Sequence, residues 1–261
     1  MPTVTSRDGT TIAYSVLGSG PPLVLVDGAL CSRAFGPMPG YAKALADRFT
    51  VYWYDRRGRG ESNDTAPYAV AREVEDLAAV IEAVGGSVYA FGTSSGAALV
   101  LQGMVAGLSI KKALLFEAPY VPTPVGGKTA AQHAEALWGL VRADKRGAAV
   151  RYFMCDVIGM PKVMGYLFGL FPMWPKLKQV AHTLPYDLTI TADEGILGER
   201  AKAVKIPTMV AGGAKSPDSL QQAVKKVAAA IPGSTLHWVP GATHNLSAAA
   251  AAPMAKEFFL S

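Results

Sequence analysis

The chain has 261 residues, of which half are hydrophobic and 17% are charged. A composition this apolar excludes a disordered protein, and the length is typical of one α/β domain that carries an insertion. The net charge of +5 is spread over short pairs rather than over a basic face with interleaved aromatic residues, so we do not expect nucleic-acid binding.

The first predicted elements are strands. Asp8-Gly9 is a strong turn signal between two β-prone runs, residues 3–5 and 10–16, and predicts an antiparallel pair. Residues 23–26 are continuously apolar, as in a parallel strand that is buried on both faces. This strand ends at Asp27-Gly28, where the glycine allows the backbone to turn and to present an N–H at the carboxyl end of the strand.

A polar, glycine-broken loop follows the next predicted strand, residues 51–54. This loop, residues 55–62, carries three arginines: Arg56, Arg57 and Arg59. We interpret it as a structural turn that is bonded to the edge of the sheet. An anion-binding site is the alternative interpretation.

Helices and strands then alternate. A helix is predicted over residues 70–84, where apolar residues recur at helical spacing and the acidic residues, including Glu73 and Asp76, lie mostly on other faces. Strands are predicted at residues 87–91 and 112–116, with a helix between them. This alternation, with short connections, predicts a mostly parallel, doubly wound α/β sheet with helices on both faces.

Between about residues 120 and 200 the alternation stops. Helix-like pieces at residues 130–142 and 148–158 are separated by proline and glycine, and the segment is rich in methionine and aromatic residues. We interpret residues 120–200 as a helical cap inserted after the sixth strand of a core domain made of residues 1–119 and 201–261. The regular pattern then returns with strands and helices at residues 208–211, 220–230 and 236–239, and with a last helix after Ser247.

A serine between two glycines stands at the junction of a strand and a helix, in the stretch Gly92-Thr93-Ser94-Ser95-Gly96. This is the pattern of a nucleophile elbow, a sharp turn that holds the serine in a strained backbone conformation while the glycines leave room around it. An ordinary Gly/Ser turn is the alternative, and the flanking strand, the flanking helix and a histidine near the chain end favour the elbow. In that geometry the N–H of Ser95, at the start of the helix, points at a developing oxyanion.

Four motifs occur in the order that the α/β-hydrolase family shows, and the chain resembles this family over nearly its whole length. The elbow is one, and Asp27-Gly28 takes the place of the usual His-Gly of the oxyanion loop. Residues 55–62 look like the loop after the next strand, and Gly241-Ala242-Thr243-His244 matches the histidine loop. The resemblance implies a mostly parallel, doubly wound sheet of about eight strands, often with a variable cap inserted after the sixth.

The resemblance also implies a catalytic triad. Ser94 would attack a carbonyl carbon, His244 would remove its proton and later protonate the leaving group, and an acidic residue would hold the imidazole. The oxyanion would be held by the N–H of Ser95 together with the N–H of Gly28 or Ala29. Because Asp27 replaces the usual histidine of the oxyanion loop, the choice between these last two donors stays open.

The acidic residue departs from the most common family pattern. In many members it follows the seventh strand, where this chain has Gly212 to Pro217 with Ser216 at the expected position of the aspartate. Asp218 comes two residues later, in what we expect to be the first turn of a helix, where capping is its ordinary role. Glu117 directly follows the sixth strand, a position that some branches of the family use. We therefore favour Glu117 over Asp218.

The function that the resemblance implies is a serine hydrolase acting on a carboxylic ester or lactone. The Asp-Gly pair is similar to that of the zearalenone-hydrolysing lactonases. A serine nucleophile argues against the haloalkane dehalogenase and epoxide hydrolase branches, in which an aspartate occupies this position. The alternatives are a carbon–carbon bond hydrolase, a cofactor-free perhydrolase and a ligand-binding protein of the same fold that has lost turnover.

The apolar residues of the predicted cap favour a neutral, fairly bulky apolar substrate, because methionine and aromatic side chains supply adaptable pocket walls. The alternative is that they form the core of the cap itself. The predicted substrate-binding residues are Leu30, Met154, Trp174 and His182. Of the other histidines, we expect His133 to be solvent-exposed or buried in the cap, and His237 to be a packed or surface residue of a strand.

No metal or organic cofactor is expected. Cys31 and Cys155 are too few and too far apart in sequence to indicate a disulfide framework or a zinc site, and we predict free thiols. No apolar run approaches the ~20 residues that span a bilayer, and the first nine residues lack a secretory pattern. We therefore expect a cytoplasmic protein with a small-molecule ester or lactone substrate and with no membrane or nucleic-acid partner; a homodimer is left open.

Overall fold

The structure, a computed structural model, describes residues 2–121 and 125–261. The described strands form one eight-stranded sheet in the order β1-β2-β4-β3-β5-β6-β7-β8. The strands are β1 (Thr3–Thr5), β2 (Thr11–Leu17), β3 (Pro22–Val26), β4 (Thr50–Tyr54), β5 (Val88–Thr93), β6 (Ile110–Phe116), β7 (Thr208–Gly213) and β8 (Thr235–Val239).

The sheet is antiparallel at one edge and parallel elsewhere. β1 pairs with β2, and β2 pairs with β4, in antiparallel fashion, whereas every pairing from β4 to β8 is parallel. Register pairs Val26 with Gly92, Thr93 with Phe116, and Gly213 with Val239. The loops that follow β3, β5, β6, β7 and β8 therefore start at the same edge of the sheet, where ligand sites of open α/β sheets lie.

Helices cover both faces of this sheet, and the predicted doubly wound architecture is confirmed. Buried side chains of α2, α3 and α10 pack on one face, and those of α1 and α11 pack on the other. Within the described ranges no helix is long and apolar enough to span a membrane. The helices are α1 (Met38–Leu45), α2 (Val70–Ala83), α3 (Ser95–Val105), α4 (Ala130–Arg142), α5 (Arg146–Tyr152), α6 (Lys162–Leu167), α7 (Trp174–Val180), α8 (Leu184–Ala192), α9 (Glu199–Lys202), α10 (Asp218–Ala230) and α11 (Ala248–Leu260).

The segment between β6 and β7 contains α4 to α9, at the place where the sequence predicts a cap. The predicted helix over residues 148–158 begins at Arg146 and continues from Phe153 to Val157 as a π-helix. An apolar cluster centred on α4, α5 and α7 packs the segment together and includes Leu30 of the loop after β3. The predicted span of 120–200 includes residues 122–124, which lie outside the described residues.

Part of this segment exposes apolar side chains instead of burying them. Val163, Tyr166 and Leu170 are 66%, 68% and 83% exposed. The methionine and aromatic content that the sequence shows here is therefore divided between the core of the segment and its surface.

Candidate active site

The predicted elbow lies between the end of β5 and the start of α3. Ser94 has φ 54° and ψ −129°, in the positive-φ region that a residue with a side chain rarely adopts. Its N–H donates to the Phe116 carbonyl at 2.8 Å, and its carbonyl accepts from the N–H of Ala97 at 2.9 Å. Ser94 is only partly buried. The strained backbone is thus held from both sides while the side chain stays accessible.

The glycines of the elbow are required by close contacts. A Cβ on Gly92 would lie 2.6 Å from the Cα of Ala97, and a Cβ on Gly96 would lie 2.3 Å from the carbonyl oxygen of Val26. Both distances are far shorter than real Cβ contacts, so a side chain at either position would push α3 away from the sheet.

The loop after β3 packs directly against the serine. A Cβ on Gly28 would lie 2.9 Å from the Cβ of Ser94, so this position also needs glycine. The N–H of Gly28 donates to Oδ1 of Asp27 at 2.8 Å, and the Gly28 carbonyl accepts from Nη1 of Arg59 at 2.6 Å. Both backbone polar groups of Gly28 are therefore already hydrogen-bonded within the protein.

Asp27, which stands in place of the usual histidine of the oxyanion loop, is 5% exposed. Burial raises the pKa of its carboxyl to about 7, although the N–H of Gly28, the Cys31 thiol, Arg59 and Arg56 act in the opposite direction. Its carboxyl group accepts the N–H of Gly28, in the loop that packs on Ser94. We therefore assign Asp27 a structural role in this loop.

His244 is joined to Glu117. Nδ1 of His244 lies 2.6 Å from Oε2 of Glu117, and Oε1 of Glu117 accepts the N–H of Gly213 at 2.7 Å. Glu117 is fully buried, directly after β6, whereas the His244 side chain is 39% exposed, in the loop after β8. Because an ionised carboxylate can only accept, Nδ1 carries the proton, and Nε2 of the neutral ring is left as an acceptor.

The hydrogen bonds to Glu117 favour its charged form. Burial raises the pKa of this carboxyl, but the bonds from His244, Ser216 and Gly213 outweigh burial, and the net shift is downward from 4.5. Asp218, the other candidate acid, is exposed as the first residue of α10 and accepts from Gln222 at 2.8 Å. The structure therefore brings Glu117, and not Asp218, to His244.

The predicted substrate-binding residues lie in two places. Leu30, Met154 and Trp174 are buried in one apolar cluster, which connects the loop after β3 with the segment between β6 and β7. His182 is not a member of this cluster, although the neighbouring Ala181 is, and its Nδ1 lies 3.3 Å from Nη1 of Arg146. Their contact with a substrate stays a prediction.

The remaining histidines lie apart from the Ser94 elbow and the His244–Glu117 pair. Nδ1 of His133, a buried residue, is 3.0 Å from the hydroxyl of Tyr152 in the segment between β6 and β7. His237 is partly buried on β8. The expectation of a packed or surface residue agrees with this placement.

The three arginines of residues 55–62 are buried and paired with carboxylates. Arg56 bonds Glu73, Arg57 bonds Asp76, and Arg59 bonds Asp187, each with at least one N–O distance of 2.7–2.8 Å. This pairing fits the structural turn rather than the anion site. The expectation that Glu73 and Asp76 lie on faces away from the core is wrong, because both are 1% exposed and point at the loop.

Sequence reasoning missed Asp187. This residue is 1% exposed on α8 and accepts hydrogen bonds from Arg56, Arg59 and the hydroxyl of Ser95. One signal was present in the sequence, since an aspartate stands inside the otherwise apolar helix 184–192 and would need a buried cationic partner.

The sequence pattern described as the alpha/beta hydrolase family matches residues 18–257. The chain belongs to this family. The match covers the elbow, the loop after β3, the arginine-bearing loop and the histidine loop.

Solved structures support the alpha/beta hydrolase assignment. The chain is 43% identical to an alpha/beta hydrolase from Sphaerobacter thermophilus DSM 20745, with a TM-score of 0.89 over 99% of this chain and 100% of that chain. It shares the fold with a thermophilic esterase from Thermogutta terrifontis (TM-score 0.71, 19% identity, 99% and 97% covered). It also shares the fold with the enol-lactonase from Burkholderia xenovorans LB400 (TM-score 0.70, 18% identity, all of both chains covered).

The lowered pKa of Glu117 predicts how the stability of this hydrolase depends on pH. The carboxyl group of Glu117 takes up a proton at higher pH in the unfolded state than in the folded state. Its contribution to the free energy of unfolding is therefore fully present above about pH 4.5 and is lost as the pH falls through the folded-state pKa. We expect the unfolding free energy of Glu117→Gln, measured by urea denaturation from pH 3 to pH 7, to fall less steeply on acidification than that of the wild type.

Asp218→Asn is the matched control, since it removes an exposed carboxylate with the same change of chemistry. It should keep the wild-type slope. Equal slopes for the wild type and Glu117→Gln would contradict the prediction.

Proposed function

We propose that the protein is a serine hydrolase that cleaves a carboxylic ester or lactone through an acyl-enzyme on Ser94. The observation that carries the proposal is the bond of His244 Nδ1 to the buried Glu117, which leaves Nε2 as a free base at the sheet edge that also bears the Ser94 elbow. Similarity to an alpha/beta hydrolase at 43% identity supports hydrolytic chemistry on this scaffold.

The reaction has two halves on this assignment. Nε2 of His244 takes the proton of the Ser94 hydroxyl while the oxygen attacks the carbonyl carbon, and the imidazolium then protonates the departing alkoxide. A water molecule, deprotonated by the same nitrogen, attacks the acyl-enzyme; the bond to the Ser94 oxygen breaks, His244 returns the proton to that oxygen, and the acid is released. Glu117 fixes the tautomer of His244 and stabilises the imidazolium, and the bond from the Gly213 N–H to its other carboxylate oxygen helps to hold it in place.

The tetrahedral oxyanion is held by backbone N–H groups. Ser95 is the first residue of α3, so its N–H has no acceptor within the helix and adds to the positive end of the helix dipole. The loop after β3, which contacts Ser94, supplies the second donor from Gly28 or Ala29. Donors fixed in this way stabilise charge in the transition state without reorganising.

The proposed substrate is neutral, fairly bulky and apolar. Leu30 follows directly on the loop that supplies the oxyanion donor, and it packs with Met154 and Trp174 of the neighbouring segment. Apolar side chains therefore continue from the reacting centre into the cap-like segment, where an acyl group or a lactone ring would be bound.

We predict that a fluorophosphonate probe labels Ser94 and that Ser94→Ala lowers the rate of ester hydrolysis by about 10⁴-fold or more, because no other group replaces the nucleophile. Intact-mass and peptide-mass measurements locate the label. Thr93→Ser, which removes a methyl group one residue away and keeps the hydroxyl, is the control and should keep labelling at Ser94. Labelling at another serine, or undiminished hydrolysis by Ser94→Ala, would refute the assignment.

The identity of the triad acid is tested by Glu117→Gln against Asp218→Asn at matched folded content. Removal of the carboxylate that orients His244 should lower kcat by about 10³ to 10⁴-fold. The imidazole then lacks both the acceptor that fixes its tautomer and the negative charge that stabilises the imidazolium. Asp218→Asn should stay within about threefold of the wild type. The reverse pattern would move the role to Asp218.

The substrate class is tested with a panel of p-nitrophenyl esters, alkyl esters and lactones that differ in size and charge. We expect kcat/KM to rise with apolar bulk, because each buried methylene contributes about 0.8 kcal/mol. A preference of more than about tenfold for charged or very small esters would rule out the apolar site. Tight, saturable binding without turnover would favour a ligand-binding protein. Cleavage only of carbon–carbon bonds would favour a carbon–carbon bond hydrolase, and formation of peracids would favour a perhydrolase.

A further inference from the structure

A buried ionic network lies beneath the proposed oxyanion loop. Asp187 of α8 accepts from Arg59 through both carboxylate oxygens at 2.8 Å, and its Oδ1 also accepts from Arg56 and from the Ser95 hydroxyl at 2.7 Å. All four side chains are at most 3% exposed. The network joins the elbow, the loop after β4 and a helix of the segment between β6 and β7.

Arg59 is the member of this network that reaches the oxyanion loop. Its Nη1 donates to the carbonyl of Gly28 at 2.6 Å, its Nη2 donates to Asp187, and its Nε donates to the Thr183 hydroxyl at 3.0 Å. A guanidinium presents its donors in one rigid plane, so anchoring at Asp187 and Thr183 also fixes the direction from which Gly28 is contacted.

The peptide between Gly28 and Ala29 therefore has one available orientation. It is a trans peptide, in which the carbonyl of Gly28 and the N–H of Ala29 point in opposite directions. With the carbonyl held by Arg59, the N–H of Ala29 points away from the ionic network. Among the described residues this N–H has no hydrogen-bond acceptor, and Ala29 is only partly buried.

The N–H of Gly28, by contrast, is occupied. It donates to Oδ1 of Asp27, and a developing oxyanion would have to compete with that carboxylate. We propose that Ala29 supplies the second oxyanion donor and that Arg59, anchored by Asp187, is the positioning residue that aims it. This inference rests on the proposed function.

The charge of Arg59 adds to the geometric effect. A cationic donor on the Gly28 carbonyl polarises the shared peptide, and hydrogen bonds in such a chain strengthen one another in a low-dielectric interior. The Ala29 N–H thus becomes a stronger donor to an anionic oxygen. Since Asp187 and Thr183 belong to the segment between β6 and β7, the position of that segment is coupled to the oxyanion donor.

The decisive comparison is Arg59→Lys against Arg57→Lys. Both arginines are buried in the same loop, but Arg57 bonds Asp76 and Asp8 and, within the described part of the chain, forms no hydrogen bond with residues 27–29. A lysine at position 59 keeps the charge yet cannot reach Gly28, Asp187 and Thr183 together. We expect Arg59→Lys to slow fluorophosphonate modification of Ser94 by about 10²-fold and to weaken binding of a trifluoromethyl ketone, which forms a tetrahedral oxyanion, by a similar factor.

The accompanying kinetics separate positioning from loss of structure. For a p-nitrophenyl ester, kcat of Arg59→Lys should fall by about 10²-fold with KM within about threefold of the wild type, whereas Arg57→Lys should keep kcat, KM and ketone affinity within about threefold. If Arg59→Lys does not fold, the charge-balanced double variant Arg59→Gln/Asp187→Asn gives the same comparison at matched circular dichroism.

The outcomes distinguish this inference from the proposed function. Wild-type protein that is not labelled at Ser94 overturns the proposed function. The role of Arg59 is overturned if the wild type is labelled at Ser94 and a folded Arg59 variant keeps its ketone affinity and kcat, or changes only in KM. The proposed function then stays in place.

Discussion

The hydrogen bond between Glu117 and His244 is the contact on which the arrangement of the site depends. A fully buried carboxylate is destabilising unless hydrogen-bond donors satisfy it, and Glu117 finds them in the imidazole and in the N–H of Gly213. These two bonds join the residue after β6 to the end of β7 and to the loop after β8. His244 thereby lies in the loop after β8, at the sheet edge that also bears the Ser94 elbow.

The buried charges on the other side of the elbow have a different role. Arg56 and Arg59 balance Glu73 and Asp187, and the removal of one partner from such a cluster typically costs about 3–5 kcal/mol because an uncompensated charge is left behind. This cost makes the cluster sensitive to position. It holds α8 in one position against the loops after β3 and β4. A purely apolar contact would allow more variation in that position.

Much of the fold was predictable from the chain alone. The turn at Asp8-Gly9, the continuous apolar strands and the Gly-Thr-Ser-Ser-Gly elbow are local signals, since backbone preference and hydrophobic pattern operate within a few residues. The helix-like piece predicted at residues 148–158 continues from Phe153 to Val157 as a π-helix, and Glu73 and Asp76 of α2 are buried although the acidic residues were expected mostly on other faces than the apolar ones. Glu73 and Asp76 are buried because they pair with Arg56 and Arg57, 17 and 19 residues away in sequence, and a helical hydrophobic pattern does not reveal such partners.

The sequence by itself determined the order and type of the elements, the strained serine turn and the two candidate acids, because these follow from short-range sterics and from motif order. Only the tertiary structure decided that Glu117 reaches His244, that Arg56 and Arg59 meet Asp187 more than 120 residues away, and that Gly28 has both of its backbone groups occupied. The physical reason is that buried polar groups must be paired, and a side chain's partner is set by which loops the parallel strands bring to the same edge.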